Sequence, residues 1–446
     1  LHQFVKNWCK NIRALDASDD VSFNTWLEGT LYTRRKKKEL EVLRQETYIK
    51  NVPFVSQYKY VKCFIKNESY STYKVPRAIL ARADEFKIRV GPIFKAIENR
   101  LFSLEAPYGY PYFIKKVPIP DRPKVILDCL GVSLAYVDRP TEHLRRVMAT
   151  DYSQFEASFQ EDIMKNIELP FYEFMTCFLT EHEEFMNFVS DLMGVNTCIF
   201  KNWIFKILCR RMSGEMNTSL GNGFSNLMIT LFTLSFHKCQ RIRLFVEGDD
   251  CVCSYDGPII DSKFLLNLGF LVKMKYLTSP SLASFCGQIF DLSSLVVITD
   301  PVKVILNFAW ANMKYVNSAH FIKQGLIRSR AMSLLYQFPG CPIVQSVATT
   351  FIRVTRDYLP FLDTTEDRYH QEIIRDALRV SLVTKEVSMS SRELMFEVFG
   401  ISVAHQLLIE EYFNSYIDGP INCPIVLNYC NDDMVHNYYN YVKQLL

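Results

Sequence analysis

No two of the thirteen cysteines are spaced as CxxC, and no two of the eight histidines are spaced as HxxxH or HExxH. A zinc site is therefore unsupported, and the scattered thiols read as reduced and mostly buried in a cytosolic setting. Long apolar runs are missing as well. The longest, Phe224 to Phe236, is broken by Ser225, Asn226, Thr230, Thr233 and Ser235 and is shorter than a bilayer crossing. The start carries no secretory signal, and the sequence has no internal repeat or low-complexity stretch. It opens on Leu1 rather than Met, so the chain is expected to be a piece of a larger product, with any membrane anchor outside it. Net charge is only +3. On so neutral a chain, any polyanion site must come from a local basic field.

The 446 residues, 49% hydrophobic and 14% aromatic, fit a globular protein of two or three subdomains. The basic residues are unevenly placed. Between Lys59 and Arg100 there are ten Lys or Arg against four acids, a net +6. Such a field suits a phosphate site or polyanion channel, though a solvated basic surface would look the same from charge alone.

Residues 1–50 read as mainly helical. The run Thr33 to Lys38 leads into Glu39-Leu40-Glu41-Val42-Leu43, ordinarily a solvated helix face and less often a phosphate-backbone contact. Tyr60 to Lys66 alternates like a strand with Lys62 and Lys66 on one face, and Lys74 to Arg82 alternates again. Two strands carrying Lys66, Lys74 and Arg77 could line a tunnel for triphosphates, since Arg suits bidentate phosphate contact and Lys a point charge. Phe86 to Phe102 turns helical. Six prolines between 103 and 145, with Pro92 just upstream, predict extended connections.

Chemistry concentrates further on. Val147 to Glu156, VMATDYSQFE, is an apolar strand that ends in Asp151, with Glu156 on the turn or helix beyond. Asp162 to Leu192 reads as helices. Arg210 to Asn222 is a polar loop opening a long helix, Asn222 to Lys238; if the helix starts early, Thr218 and Asn222 share one face. In Arg241 to Tyr255, two apolar runs flank Glu247-Gly248-Asp249-Asp250, a β-hairpin with two adjacent carboxylates at its tip. Paired carboxylates repel and lose water, which a divalent cation offsets, and oxygen ligands suit Mg²⁺ or Mn²⁺. Asp261 to Leu268 looks helical, and Phe270 to Leu277 looks like a strand carrying Lys273 and Lys275. Ser284 to Gln288 with Leu295 to Ile298 suggests a second hairpin, and helices prevail from Asp300 onward.

The order of these blocks closely resembles motifs A, B and C of viral RNA-dependent RNA polymerases: DYSQFE, then SGEMNTSLGN, then EGDD. IKNES with KVPRAILAR is similar to motif F, Lys273 or Lys275 falls where motif D has its lysine, and Phe285-Cys286-Gly287 resembles motif E. The wording is most similar to polymerases of tombusvirus-like and flavivirus-like positive-strand RNA viruses, over about residues 60 to 290.

The resemblance implies roles for these residues. Asp151 and Asp249 would bind two metal ions, Mg²⁺ or Mn²⁺, with Asp250 a weaker contributor; such two-metal chemistry needs carboxylates converging from different strands. Ser213, Thr218 and Asn222 would read ribose hydroxyls. Lys66 and Arg77, assisted by Lys74, would hold the triphosphate, and Lys273 or Lys275 could protonate the leaving pyrophosphate. The second acid of motif A is usually Asp; Glu156 stands here, and its longer side chain has a different reach toward a 2′-hydroxyl.

The implied fold is α+β, a right-hand polymerase with an antiparallel-sheet palm, fingers and a helical thumb. The expected division is fingers 1–145, palm 146–299 with a fingers insertion near 163–205, and thumb 300–446. Implied partners are template and nascent RNA, ribonucleoside triphosphates and other viral replication proteins. The implied location is the host cytoplasm, at membrane-associated replication complexes reached through another region or partner. Two other readings share the motifs: a reverse transcriptase or DNA polymerase palm, and a catalytically silent RNA-binding scaffold. The polar set Ser213, Thr218, Asn222 argues for ribonucleotides, and the retained Asp151, Asp249 and Asp250 argue against a silent scaffold.

Overall fold

The computed structural model describes residues 1–49, 60–66, 75–132, 145–308, 312–363 and 368–441. Stretches rich in β-branched and aromatic residues form eleven strands among the described residues: β1 Val61–Ile65, β2 Ala78–Arg82, β3 Arg145–Tyr152, β4 Val195–Phe200, β5 Trp203–Leu208, β6 Gln240–Glu247, β7 Asp250–Asp256, β8 Val272–Tyr276, β9 Ser284–Phe285, β10 Gln288–Asp291 and β11 Val296–Ile298. They make three sheets, ordered β6-β7-β3-β8, β2-β1-β4-β5 and β11-β10-β9.

The first of these is antiparallel throughout and divides two cores. Because side chains alternate across a strand, Val147, Ala149, Phe245 and Val252 face one core, which they share with the three-stranded sheet and the C-terminal helices. Met148, Tyr152, Leu244, Val246, Cys251 and Cys253 face the other, with the helices Asp84–Leu101, Glu161–Thr176, His182–Leu192 and Thr218–Phe236. A one-residue slip of β3 would exchange its two apolar sets, so the register is strongly specified. The stacked rings of Phe171 and Phe224, 3.8 Å apart at their centroids, join two of those helices.

The second sheet is mixed, with β1 and β4 parallel and its other pairs antiparallel. From Pro301 onward the described residues are mainly helical, including His320–Gln337, Val344–Val354, Arg368–Arg379, Met389–Phe399 and Val403–Ser415. Asp291 at the end of β10 ties this region to the sheets. Its carboxylate accepts from the hydroxyls of Ser293, Ser294, Ser388, Ser390 and Ser391, at the N-terminus of the helix Met389–Phe399. Burial alone would raise this acid, but the serine hydroxyls outweigh it and hold Asp291 down at about 2.

Several expectations change. The prolines do not impose extended chain throughout 103–145: Arg122–Leu130 is a helix with Pro123 near its start, where the missing N–H costs nothing, and Pro92 lies inside the helix Asp84–Leu101. The long helix runs Thr218–Phe236, not Asn222 to Lys238, because Thr218 closes the preceding loop by donating to the carbonyls of Met212 and Glu215. The turn in the EGDD stretch is Gly248-Asp249, the two turn formers expected, but Asp250 is not at the tip: it is the first residue of β7 and pairs with Glu247. The second hairpin is a three-stranded meander, with β10 between β9 and β11. Lys74 lies outside the described residues, as does 133–144. No helix among the described residues is long and apolar enough to cross a membrane.

Candidate active site

One row of residues crosses the end of the antiparallel sheet. Glu247 on β6 pairs with Asp250 on β7, and Asp151 on β3 pairs with Lys273 on β8. The register of β3 with β7 runs to Thr150 opposite Cys251, and one further step sets Asp151 beside Asp250. Directly opposed residues project from the same face, so three carboxylates and one ammonium share a single edge of the sheet. Lys275 sits two residues further in, opposite Ala149.

The turn that carries Asp249 is built for its position. Gly248 has φ +60°, the left-handed conformation that a two-residue hairpin asks of its first central residue. Asn226, fully buried on the helix Thr218–Phe236, donates its side-chain amide to the carbonyls of Gly248 and Asp250 at 3.2 and 3.1 Å. On the far side the Cys286 N–H donates to the Asp250 carboxylate at 3.1 Å. Cys286 and Gly287 both have positive φ, forming the tight turn between β9 and β10 that aims this N–H at the acid.

Burial raises the Asp249 carboxyl, and Asp151 adds to the rise. Burial followed by repulsion from Asp249 pushes Asp250 up to about 6. Glu247 is raised by burial too, with Lys115 and Arg122 opposing. This is negative charge with too little compensation, the condition that a divalent cation relieves. The oxygen-only donor set fits Mg²⁺ or Mn²⁺. No group of three or more His, Cys, Asp or Glu side chains among the described residues is gathered tightly enough to hold an ion alone.

Beside this edge opens a cavity of about 750 Å³. Lys66 and Arg77 line it from the mixed sheet, joined by the bond from the Lys66 N–H to the Arg77 carbonyl. Ser213 and Asn222 line it from the loop and helix, and Glu156 and Asp249 from the antiparallel sheet side. Gln154, in the left-handed region at φ 54°, turns the chain after β3 so that Glu156 enters the cavity. Asn222 donates to Glu156 at 3.3 Å, while its own side-chain oxygen is buried and finds no partner among the described residues. Glu156 is raised by burial, with Asn222 and then Arg211 opposing.

Of the residues named from sequence, the cavity gathers Lys66, Arg77, Glu156, Ser213, Asn222 and Asp249. Asp151, Asp250, Lys273 and Lys275 lie outside that lining, on the sheet. Thr218 is also outside it, its hydroxyl spent on closing the loop. Gln154, Arg210 and Arg211 line the cavity without having been singled out, although the Arg210-Arg211 pair stood directly before Ser213-Gly214. Arg211 is fully buried against Glu168, its guanidinium over the Phe159 ring, and so works as a brace for the loop.

Residues 1–323 match the profile of a family described as RNA dependent RNA polymerase. Among curated proteins, the chain is 22% identical over 381 residues to the RNA-directed RNA polymerase of Turnip crinkle virus, covering 80% of this chain and 46% of that one. It is likewise 22% identical over 385 residues to that of Oat chlorotic stunt virus, covering 80% and 49%. It is 26% identical over 200 residues to that of Melon necrotic spot virus, covering 43% and 24%. The chain thus spans about half the length of the first two relatives.

Proposed function

This chain belongs to the family of viral RNA-dependent RNA polymerases, and from that membership we propose that it performs template-directed RNA synthesis for the copying of a viral RNA genome. A 3′-hydroxyl attacks the α-phosphate of a ribonucleoside triphosphate, and pyrophosphate leaves. The observation that carries this reading is the juxtaposition at one sheet edge. Acids from β3 and from the β6–β7 turn lie beside a cavity with cations on one wall and sugar-sized polar groups on another.

Asp151 and Asp249 would hold two divalent ions, with Asp250 close behind. When bound, such ions lower the pKa of an attacking hydroxyl and offset charge at phosphorus. The chain's own residues do the rest. Lys66 and Arg77 grip the triphosphate, Arg77 by a two-pronged contact and Lys66 as a point charge. Ser213, whose hydroxyl donates to the Ala78 carbonyl and can still accept, and the Glu156–Asn222 pair meet the ribose, the Asn222 oxygen accepting from a sugar hydroxyl. Lys273, on the row of Asp151, is better placed than Lys275 to hold a proton for the leaving pyrophosphate. The protein's contribution is mostly position and electrostatics, as phosphoryl transfer requires.

In this reading the antiparallel sheet is the palm, the mixed sheet with its flanking helices the fingers, and the C-terminal helices the thumb. Template contacts are to backbone and shape, so RNA binding weakens steeply with salt. Other viral replication proteins, or a region outside this chain, would bring it to membranes in the host cell. The test is incorporation of NTPs and of dNTPs on one short RNA template, with and without a primer, in Mg²⁺. Preference for NTPs is expected. A preference for dNTPs would favour a reverse transcriptase, and RNA binding without any extension would favour a silent scaffold.

A further inference from the structure

The open edge of β2 is stitched to the loop 211–217 at three successive points. The Ser213 hydroxyl donates to the Ala78 carbonyl at 3.0 Å, and the Gly214 N–H donates to the Leu80 carbonyl at 3.0 Å. The third point is a pair of side chains: Nε of Arg82 donates to the Glu215 carboxylate at 2.6 Å. Carbonyls two residues apart on a strand point to the same edge, so the first two contacts run like ladder rungs. Gly214 is required by the closeness of the approach, since a Cβ there would lie 2.7 Å from the Leu80 carbonyl oxygen.

The third contact is unusual in its burial, with side chains only 2% and 5% exposed. Arg82 also donates to Asn196 on β4 and lies over the Phe86 ring. A single guanidinium therefore holds together the mixed sheet, the helix Asp84–Leu101 and the loop. Buried ion pairs can often be replaced by apolar residues without loss of stability, so stability alone is a weak account of this one. Its consequence is geometric. Arg77 sits at one end of β2, five residues before Arg82, and Ser213 sits two residues before Glu215 on the loop.

We infer that Arg82 and Glu215 are a positioning pair that fixes the distance between the two walls of the cavity, the triphosphate wall of Lys66 and Arg77 and the sugar wall of Ser213 and Asn222. This rests on the polymerase reading above. A nucleotide is then measured against both walls at once. Loosening the pair lets a nucleotide settle on its phosphates without a correctly placed ribose, so binding and sugar discrimination weaken together.

The test is steady-state incorporation by the Glu215→Gln variant, which keeps the shape and removes the charge, with thermal unfolding and RNA binding measured alongside. The apparent KM for NTP is expected to rise roughly tenfold, the size of one weakened charge-assisted contact. The preference for NTP over 2′-dNTP should fall, with kcat little changed. Glu215→Asp keeps the charge but shortens the reach by one methylene; it should move both quantities the same way, and it carries the test if the Gln variant does not fold. A merely structural role would lower the melting temperature and the active fraction while KM and sugar preference stayed at wild type, and that result overturns the inference. A wild-type chain that incorporates no nucleotide would overturn the polymerase reading itself. An active wild type with indistinguishable variants overturns the positioning role alone.

Discussion

The side-chain amide of Asn226 donates to the main-chain carbonyl of Asp250 at 3.1 Å, so a buried helix position fixes where the hairpin's acids lie. The same nitrogen serves Gly248. Asn226→Leu, which keeps the branching but not the polarity, should leave two carbonyls without their donor and cost about 2–3 kcal/mol of stability. Asn226→Asp sets a carboxylate against both carbonyls and should be worse, with turnover falling in each variant. Thermal unfolding and incorporation assays check this; a wild-type melting temperature and rate in Asn226→Leu would contradict it.

Asp250 titrates at about 6 in the folded chain against an ordinary 3.8. Between about pH 4 and pH 6 the folded chain therefore binds more protons than the unfolded one, and this group's contribution to stability falls as pH rises through that window. Without divalent cations, Asp250→Asn should be more stable to unfolding than the wild type at pH 7 by about 2 kcal/mol and match it near pH 4. Added Mg²⁺ should then stabilise the wild type more than the variant. Equal melting at both pH values would remove the claim that the acid is under-compensated.

Lys273 and Lys275 are both exposed, so neither should matter to folding. Only Lys273 stands on the row of Asp151. Lys273→Met is expected to lower kcat on the order of a hundredfold, the scale of a lost general acid, and Lys275→Met to lower it far less. The reverse order in single-turnover rates would reassign the proton donor.

Arg77→Ala removes a cavity-lining cation at the mouth of β2. The apparent KM for NTP should rise about tenfold or more, with RNA binding unchanged. A KM equal to the wild type would place Arg77 outside the triphosphate path.

Much of this was legible in the sequence because period-two alternation survives wherever one face of a strand is charged or polar. The runs around Lys62 and Lys66, Asp151, and Lys273 and Lys275 all fall on strands or directly at their ends. The strands β4 and β5 carried no such signal. VNTCIF and WIFKIL set apolar residues on both faces and scatter their polar ones, Asn196, Thr197 and Lys206, without alternation, so the period alone does not separate strand from helix. The early start of the helix at Thr218 was masked by Gly221, a poor helix former tolerated here because Arg211 packs directly against it. The two buried arginines were illegible for another reason. Their partners lie 43 and 133 residues away, and only the folded chain brings Glu168 to Arg211 and Glu215 to Arg82. Thr218 had the right spacing, but its hydroxyl is engaged by carbonyls of its own loop, which a face-sharing pattern cannot reveal.

The central claim is that acids on β3 and on the β6–β7 turn act together on divalent cations. Primed RNA extension by Asp249→Asn across a Mg²⁺ titration tests it most directly. Extension should be lost at every Mg²⁺ concentration while template binding stays near wild type; turnover at the wild-type rate with an unchanged Mg²⁺ dependence would contradict the account.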